Sequence, residues 1–303
     1  MSRVFLFYGM TGGIDIGGTN IKFGVVAHTG AVVWEQSVPT LAAEGLTSVL
    51  NKLRGVVGEM LKRSPELAAI GIGVPGVVDP VTKLVQAPPN LAGWDNVDLL
   101  SELGTETSVP IGVENDANAA AVGEAHMGAG VGHPNFLYAT LGTGIGGGVI
   151  LGGELYRGPH GDAGEIGHII IDAWAREGAL DARPFRTGVL EEYAGIQGIL
   201  RMAREQGEDA ENVRRIQNDA VFKEVGRLIG LGLCSAMAVL GLRVVILGGG
   251  VAQAPFVLES IRTTMLRNAI PTIANSLMVL PARYGSHAGL MGAAAVGRAI
   301  VRA

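Results

Sequence analysis

Asp15-Ile16-Gly17-Gly18-Thr19-Asn20-Ile21-Lys22 packs more potential chemistry into a short span than any other stretch of this 303-residue chain. Gly17 and Gly18 remove side chains where the backbone must turn sharply and where another molecule can approach it closely. Amide N–H groups in such a turn form a concave anion site, and Thr19, Asn20 and Lys22 add donors. Asp15 sets a carboxylate beside that site. A carboxylate facing a phosphate repels it unless a divalent cation lies between them, so the pairing points to Mg²⁺. Read alone, the stretch also fits a plain hairpin with glycine in its turn. It is not a Walker A loop, because the GxxxxGK[ST] spacing is absent.

The elements around these residues follow from hydrophobic periodicity. β-branched runs on both sides of Gly17-Gly18 read as paired strands. Apolar residues at Leu46, Val49, Leu50, Leu53, Val56, Val57 and Met60 predict a helix within residues 41–62. Residues 68–78 read as a strand ending at Val74-Pro75-Gly76, and Pro88 to Trp94 as a loop. A strand over 109–113 runs into Glu114-Asn115-Asp116, after which an alanine-rich helix follows that Asn115 or Asp116 could cap. The opening pattern then recurs: strand 136–141, the turn Gly142-Thr143-Gly144, and a strand to Leu151. Two copies about 125 residues apart predict two similar domains, each offering a turn to one ligand. A long helix over 221–240 contains Gly226, Gly230 and Gly232, which lower helix propensity and so predict close packing there. Val244 to Leu247 is a buried strand running into Gly248-Gly249-Gly250, and a helix of small residues spans 288–301.

The length favours two domains. Net charge is −5 and no basic cluster occurs, which argues against nucleic acid or an anionic membrane as partner. The single cysteine, Cys234, excludes an internal disulfide and any multi-cysteine metal site. The N-terminal apolar run is too short for a secretory signal, and the window 228–242 is too short to cross a bilayer. A soluble cytoplasmic protein is the expectation.

Seven motifs occur in order: Asp-Ile-Gly-Gly-Thr-Asn-Ile-Lys, Glu-Asn-Asp-Ala-Asn, Leu-Gly-Thr-Gly-Ile-Gly-Gly-Gly, Glu-Ile-Gly-His, Val-Leu-Glu-Glu-Tyr-Ala, Leu-Gly-Gly-Gly-Val and Ala-Gly-Leu-Met-Gly-Ala-Ala. Together they resemble the ROK family (repressors, open reading frames, sugar kinases) of the actin/hexokinase/Hsp70 superfamily, from about residue 12 to 296. The resemblance implies an α/β fold of two ribonuclease-H-like domains around a central cleft. It implies an N-terminal domain over 1–117, a C-terminal domain over 118–287, and a helix over 288–303 returning to the first. It also implies ATP-dependent phosphorylation of a hexose hydroxyl with Mg²⁺, in a homodimer. By the family pattern Gly17, Gly18, Thr19, Asn20 and Lys22 on one side, and Gly142, Thr143 and Gly144 on the other, hold the phosphates. Gly248, Gly249 and Gly250 would approach the adenosine, and Asp15 would serve the metal. Asn90, Asn115, Asp116, Glu165, His168 and Glu191 would line the sugar pocket.

A sugar hydroxyl is a poor nucleophile at neutral pH, and Asp116 is the candidate base to accept its proton. Glu165, His168 and Glu191 supply the directed acceptors that hydroxyl recognition needs; the intervening glycine and following isoleucines place Glu165 and His168 on a loop entering a strand. One departure concerns zinc. Many family members carry Cys-x-Cys-x4-Cys after the Gly-His motif; here residues 172–191 contain no cysteine, and Val189 stands where the last thiolate would be. No zinc site is expected, and Trp174 packing on Phe185 is the expected substitute. Glucose is the first substrate to consider. N-acetylglucosamine, N-acetylmannosamine, fructose or allose remain open, because such kinases share every catalytic motif. A repressor carries an N-terminal helix-turn-helix, whereas here the first glycine-rich strand begins about twelve residues in. Closure of the two domains is expected, hinged near 114–118 and near Ala288.

Overall fold

The computed structural model describes residues 9–88, 90, 91, 93–175 and 187–301. The chain forms two compact units, one of residues 1–127, 157–162 and 287–303, the other of 128–156 and 163–286.

In the first unit, β1 (Thr11–Ile16), β2 (Asn20–Val26), β3 (Val32–Pro39), β4 (Ala69–Val74) and β7 (Ile111–Asn115) form one sheet in the order β3-β2-β1-β4-β7. The first three are antiparallel, whereas β4 and β7 run parallel to β1. A small ribbon of β5 (Val77–Val78) and β6 (Val85–Gln86) hangs from β4. Helix α1 (Leu46–Arg63) buries the periodic stripe expected of it, from Val49 to Met60. A short helix α2 (Leu99–Gly104) is capped by Asp98, whose side chain accepts from the Ser101 N–H at 2.9 Å. Helix α3 (Asp116–Met127) follows β7 without a break.

The second unit repeats the plan. β8 (Phe136–Leu141), β9 (Ile145–Leu151), β10 (Glu154–Tyr156), β11 (Val244–Gly248) and β12 (Met278–Pro281) are ordered β10-β9-β8-β11-β12, again with three antiparallel strands and two parallel additions. Its helices are α4 (Leu190–Ala194), α5 (Ile196–Glu205), α6 (Asp219–Leu240), α7 (Val257–Asn268) and α8 (Pro271–Ala274). The α6 glycines do mark close packing: a Cβ at Gly230 would lie 2.8 Å from Thr264 of α7, and one at Gly232 2.8 Å from Leu190 of α4.

The final helix, α9 (Ala288–Ile300), belongs to the first unit. Its small residues have a direct cause. A Cβ at Gly13 of β1 would strike the Leu290 carbonyl, and one at Gly71 of β4 the Ala293 carbonyl, so the helix backbone rests on the sheet backbone. A Cβ at Gly123 would lie 3.0 Å from Gly292, which binds α3 to α9 in the same way. This contact corrects the expected division at 117/118: α3 is part of the first unit, and the chain leaves that unit after Met127. Residues 157–162 also rejoin the first unit, where Gly161 (φ +87°) lies against the Val78 carbonyl.

Candidate active site

In the first unit, hairpin pairing sets Asp15 opposite Lys22 and Ile16 opposite Ile21, leaving Gly17 to Asn20 as the turn. The Gly17 N–H donates to the Asn20 carbonyl at 2.9 Å. Buried Thr40 pins the turn from outside: its hydroxyl donates to the Gly17 carbonyl at 2.6 Å, and its N–H to the Thr19 carbonyl at 2.9 Å. With those carbonyls tied back, Gly18, Thr19 and Asn20 stay exposed at the tip. Asn90, in the left-handed region at φ +68°, lies across the turn; a Cβ at Gly18 would be 3.1 Å from the Asn90 Cβ.

Asp116 opens α3, its backbone 3.7 Å from where a Cβ on Gly73 would stand. Its carboxylate accepts from the Ala117 N–H at 2.8 Å. The residue is open to solvent, yet protein encloses it on other sides, and that desolvation raises its pKa; hydrogen bonds from Ala117, its own N–H and Asn115 pull it back. Asp15 is raised from 3.8 to about 6, by burial first, then by the charge of Asp116, against the opposing pull of Lys22. The start of α9 presses on it: a Cβ at Gly289 would strike the Asp15 carboxylate. Two neighbouring carboxylates repel each other when both are ionised, and their hard oxygens suit a cation such as Mg²⁺. Among the described residues, no group of three or more His, Cys, Asp or Glu gathers as a self-contained metal site.

Asn115 holds the neighbouring backbone. Its Nδ2 donates to the Gly76 carbonyl at 2.9 Å, and its Oδ1 accepts from the Asn118 N–H at 3.0 Å, so it caps α3. Beneath it lies buried Glu114, which the sequence reading passed over. Its Oε1 accepts from the Asn115 N–H (3.1 Å) and Asn118 Nδ2 (3.3 Å), and its Oε2 accepts from Arg157 Nε at 2.7 Å. Arg157 is the first residue of the 157–162 segment, so an ion pair ties that segment to the Glu-Asn-Asp motif.

In the second unit, Leu141 pairs with Ile145 across the turn Gly142-Thr143-Gly144, and the Gly142 N–H donates to the Gly144 carbonyl at 3.0 Å. Thr143 is exposed. By register Thr140 takes the place that Asp15 has in the first hairpin. Glu165 and His168 are exposed on a short 3₁₀ turn over Ile166–His168, closed by the His168 N–H donating to the Glu165 carbonyl at 3.1 Å. This corrects the loop-into-strand expectation, because residues three apart on such a turn stand on the same side. Glu191, on α4, accepts from the Ile145 N–H through Oε2 at 2.8 Å.

The three glycines after β11 differ in cause. A Cβ at Gly248 would strike the Tyr138 hydroxyl, and one at Gly249 (φ +85°) the Leu141 carbonyl, so both are glycine for internal packing. At Gly250 nothing lies within 4 Å, which leaves it the one open to a ligand. Gly248 and Gly249 also border a small cleft of about 50 Å³ with Ala252, Gln253, Pro281 and Gly285.

The expected Trp174–Phe185 contact involves a residue outside the described ones, and Trp174 itself is exposed. The described residues on either side of that segment are joined by polar contacts. The Ile171 N–H donates to the Gly188 carbonyl at 2.8 Å, Tyr193 Oη to Asp172 Oδ2 at 2.6 Å, and the Gly188 N–H to buried Glu192 at 2.6 Å. The Tyr193 bond holds the Asp172 carboxyl below its usual range.

The ROK family model matches residues 11–299. The chain belongs to the ROK family. A glucokinase of Halalkalibacterium halodurans is 31% identical, covering 92% of this chain and 92% of its own length. One from Streptomyces coelicolor is 33% identical, covering 96% and 98%. The crystal structure of a ROK family glucokinase from Streptomyces griseus in complex with glucose and AMPPNP has a TM-score of 0.81 at 33% identity, covering 96% of this ROK chain and all of that one. The fold is therefore the mixed α/β, actin-like ATPase fold of ROK sugar kinases. No helix among the described residues is long and apolar enough to cross a membrane.

Proposed function

We propose that this chain is an ATP-dependent sugar kinase whose acceptor is a hexose, with glucose the foremost candidate. The observation that carries the reading is Asp116: a carboxylate open to solvent, fixed at the head of a helix beside Asp15, with desolvation raising its pKa above the usual carboxylate value. A base works best when its pKa approaches the working pH. In this reading Asp116 takes the proton of the attacking sugar hydroxyl as that oxygen bonds to the γ-phosphorus and ADP leaves. Asn90 and Asn115 orient the sugar from the first unit; Glu165, His168 and Glu191 accept its other hydroxyls. Gly18, Thr19 and Asn20 on one turn, and Thr143 on the other, receive phosphate oxygens, and Gly250 admits the nucleoside. Asp15 would hold Mg²⁺, which when bound neutralises phosphate charge.

Near-full-length likeness to two glucokinases supports glucose over the other hexoses. The test is ADP release measured across glucose, fructose, mannose, allose, N-acetylglucosamine and N-acetylmannosamine. Turnover with glucose highest in kcat/KM is expected; a higher value for an N-acetylated sugar would reassign the substrate, and no turnover with any would sink the kinase reading.

A further inference from the structure

Glu191 stands at a junction of three motifs. Its Oε2 accepts from the Ile145 N–H, the amide that closes the second Gly-Thr-Gly turn. A Cβ on Gly144 would sit 2.5 Å from Oε2, 3.0 Å from Cδ and 3.3 Å from Oε1, so its three nearest atoms all belong to this carboxylate. A Cβ on Gly167, in the Glu-Ile-Gly-His motif, would sit 3.3 Å from the same oxygen. One on Gly195 would be 3.3 Å from Glu191 Cγ and 3.2 Å from the Thr143 carbonyl, which also accepts from the Ile196 N–H at 3.4 Å. Gly144 has no positive φ and so no conformational need for glycine. The side chain it lacks is replaced by another residue's carboxylate.

We propose that Glu191 is the positioning residue of the second phosphate turn, and that Gly144 is glycine to admit its carboxylate rather than a phosphate. This rests on the kinase reading above and extends it: the group expected to grip the sugar also sets the shape of the nucleotide's turn. An anion bonded to the Ile145 amide fixes that peptide's direction and thereby the position of exposed Thr143 beside it before any nucleotide arrives.

A double-mutant cycle tests it. AMPPNP with Mg²⁺ is titrated calorimetrically, without sugar, into wild type, Glu191→Ala, Gly144→Ala and the double variant. Glu191→Ala should weaken AMPPNP about tenfold, the scale of one lost charge-assisted hydrogen bond. Gly144→Ala should weaken it comparably, and the double variant should be no worse than Glu191→Ala alone, since the added methyl then meets no carboxylate. Glu191→Gln, whose amide oxygen can still accept, should recover most of the affinity. Unchanged AMPPNP affinity in Glu191→Ala alongside weakened glucose binding would make Glu191 a sugar ligand only and overturn the proposal. So would penalties that multiply in the double variant. Hydrogen exchange at the Ile145 amide decides the same question without nucleotide: faster exchange in Glu191→Ala supports it, unchanged exchange overturns it. If wild type binds no AMPPNP at all, the kinase reading fails while the exchange result still stands.

Discussion

At the scale of single residues, charge placement decides what each carboxylate can do. Asp116 is exposed and only partly restrained, as a base must be, and Asp116→Ala should lower kcat about 10²–10⁴-fold with a smaller change in sugar affinity. Near-wild-type turnover would remove it from the mechanism. Asp15 differs, because its cost is paid in stability. Its folded pKa of about 6 exceeds the unfolded 3.8, so the folded state holds the proton more tightly. The stability this contributes is complete below about pH 4 and lost as pH rises through 6. Asp15→Asn should therefore raise Tm at pH 8 in metal-free buffer, and the gain should vanish near pH 4. An equal Tm gain at both pH values would refute the assignment. The Asp15 carboxylate and the exposed turn beside it were legible from residue types and spacing alone. Glu114 and Thr40 were not, since a buried glutamate or threonine acting on backbone amides has no signature until its partners are brought together by β4, β7 and the chain beyond β3.

At the scale of elements, glycine separates two situations that look alike in sequence. Gly71 lies under the α9 backbone, and Gly71→Ala should destabilise by about 1–3 kcal/mol or more, because neither backbone can yield. Gly58, on the exposed side of α1, has nothing within 4 Å of a Cβ, and Gly58→Ala should stabilise by about 0.5–1 kcal/mol through helix propensity. Urea denaturation of the two variants checks the opposite signs. Helical periodicity revealed α1, and the glycines of α6 revealed its close packing. β3, exposed along most of its length, gave no comparable pattern and was missed; α5 was missed although Ile196, Ile199, Leu200 and Ala203 carry the i, i+3, i+4, i+7 stripe of a helix. The Arg157–Glu114 pair joins elements that sequence reading would never associate. Arg157→Ala should leave a buried carboxylate uncompensated and cost about 1–3 kcal/mol. Adding Glu114→Gln should recover part of that loss, whereas an additive loss would show that the pair is not coupled.

For the whole molecule, the repeated strand-turn-strand pattern foretold two units of like topology. Their exact division did not follow, because Gly123 on Gly292 is a contact across 169 positions of sequence with no local trace. If one sugar engages Asn90 of the first unit and Glu165, His168 and Glu191 of the second, as the proposed reaction requires, binding should draw the units together. Small-angle scattering should then show a smaller radius of gyration with saturating glucose than without. An unchanged radius would count against closure as the gating step.

The order in which the chain is made gives the placement of α9 a further meaning. The second unit is complete by residue 286, whereas the first still lacks the helix that covers Gly13 and Gly71. During synthesis the N-terminal sheet must therefore wait, one face bare, while the later unit is built and folds. Domains usually mature in the order they leave the ribosome; here the first unit cannot be completed before the second has been made. Chains truncated before residue 288 and released should carry a protease-resistant second unit and a first unit that is cleaved, and a chaperone that shields apolar sheet faces should bind these truncated chains but not the full chain.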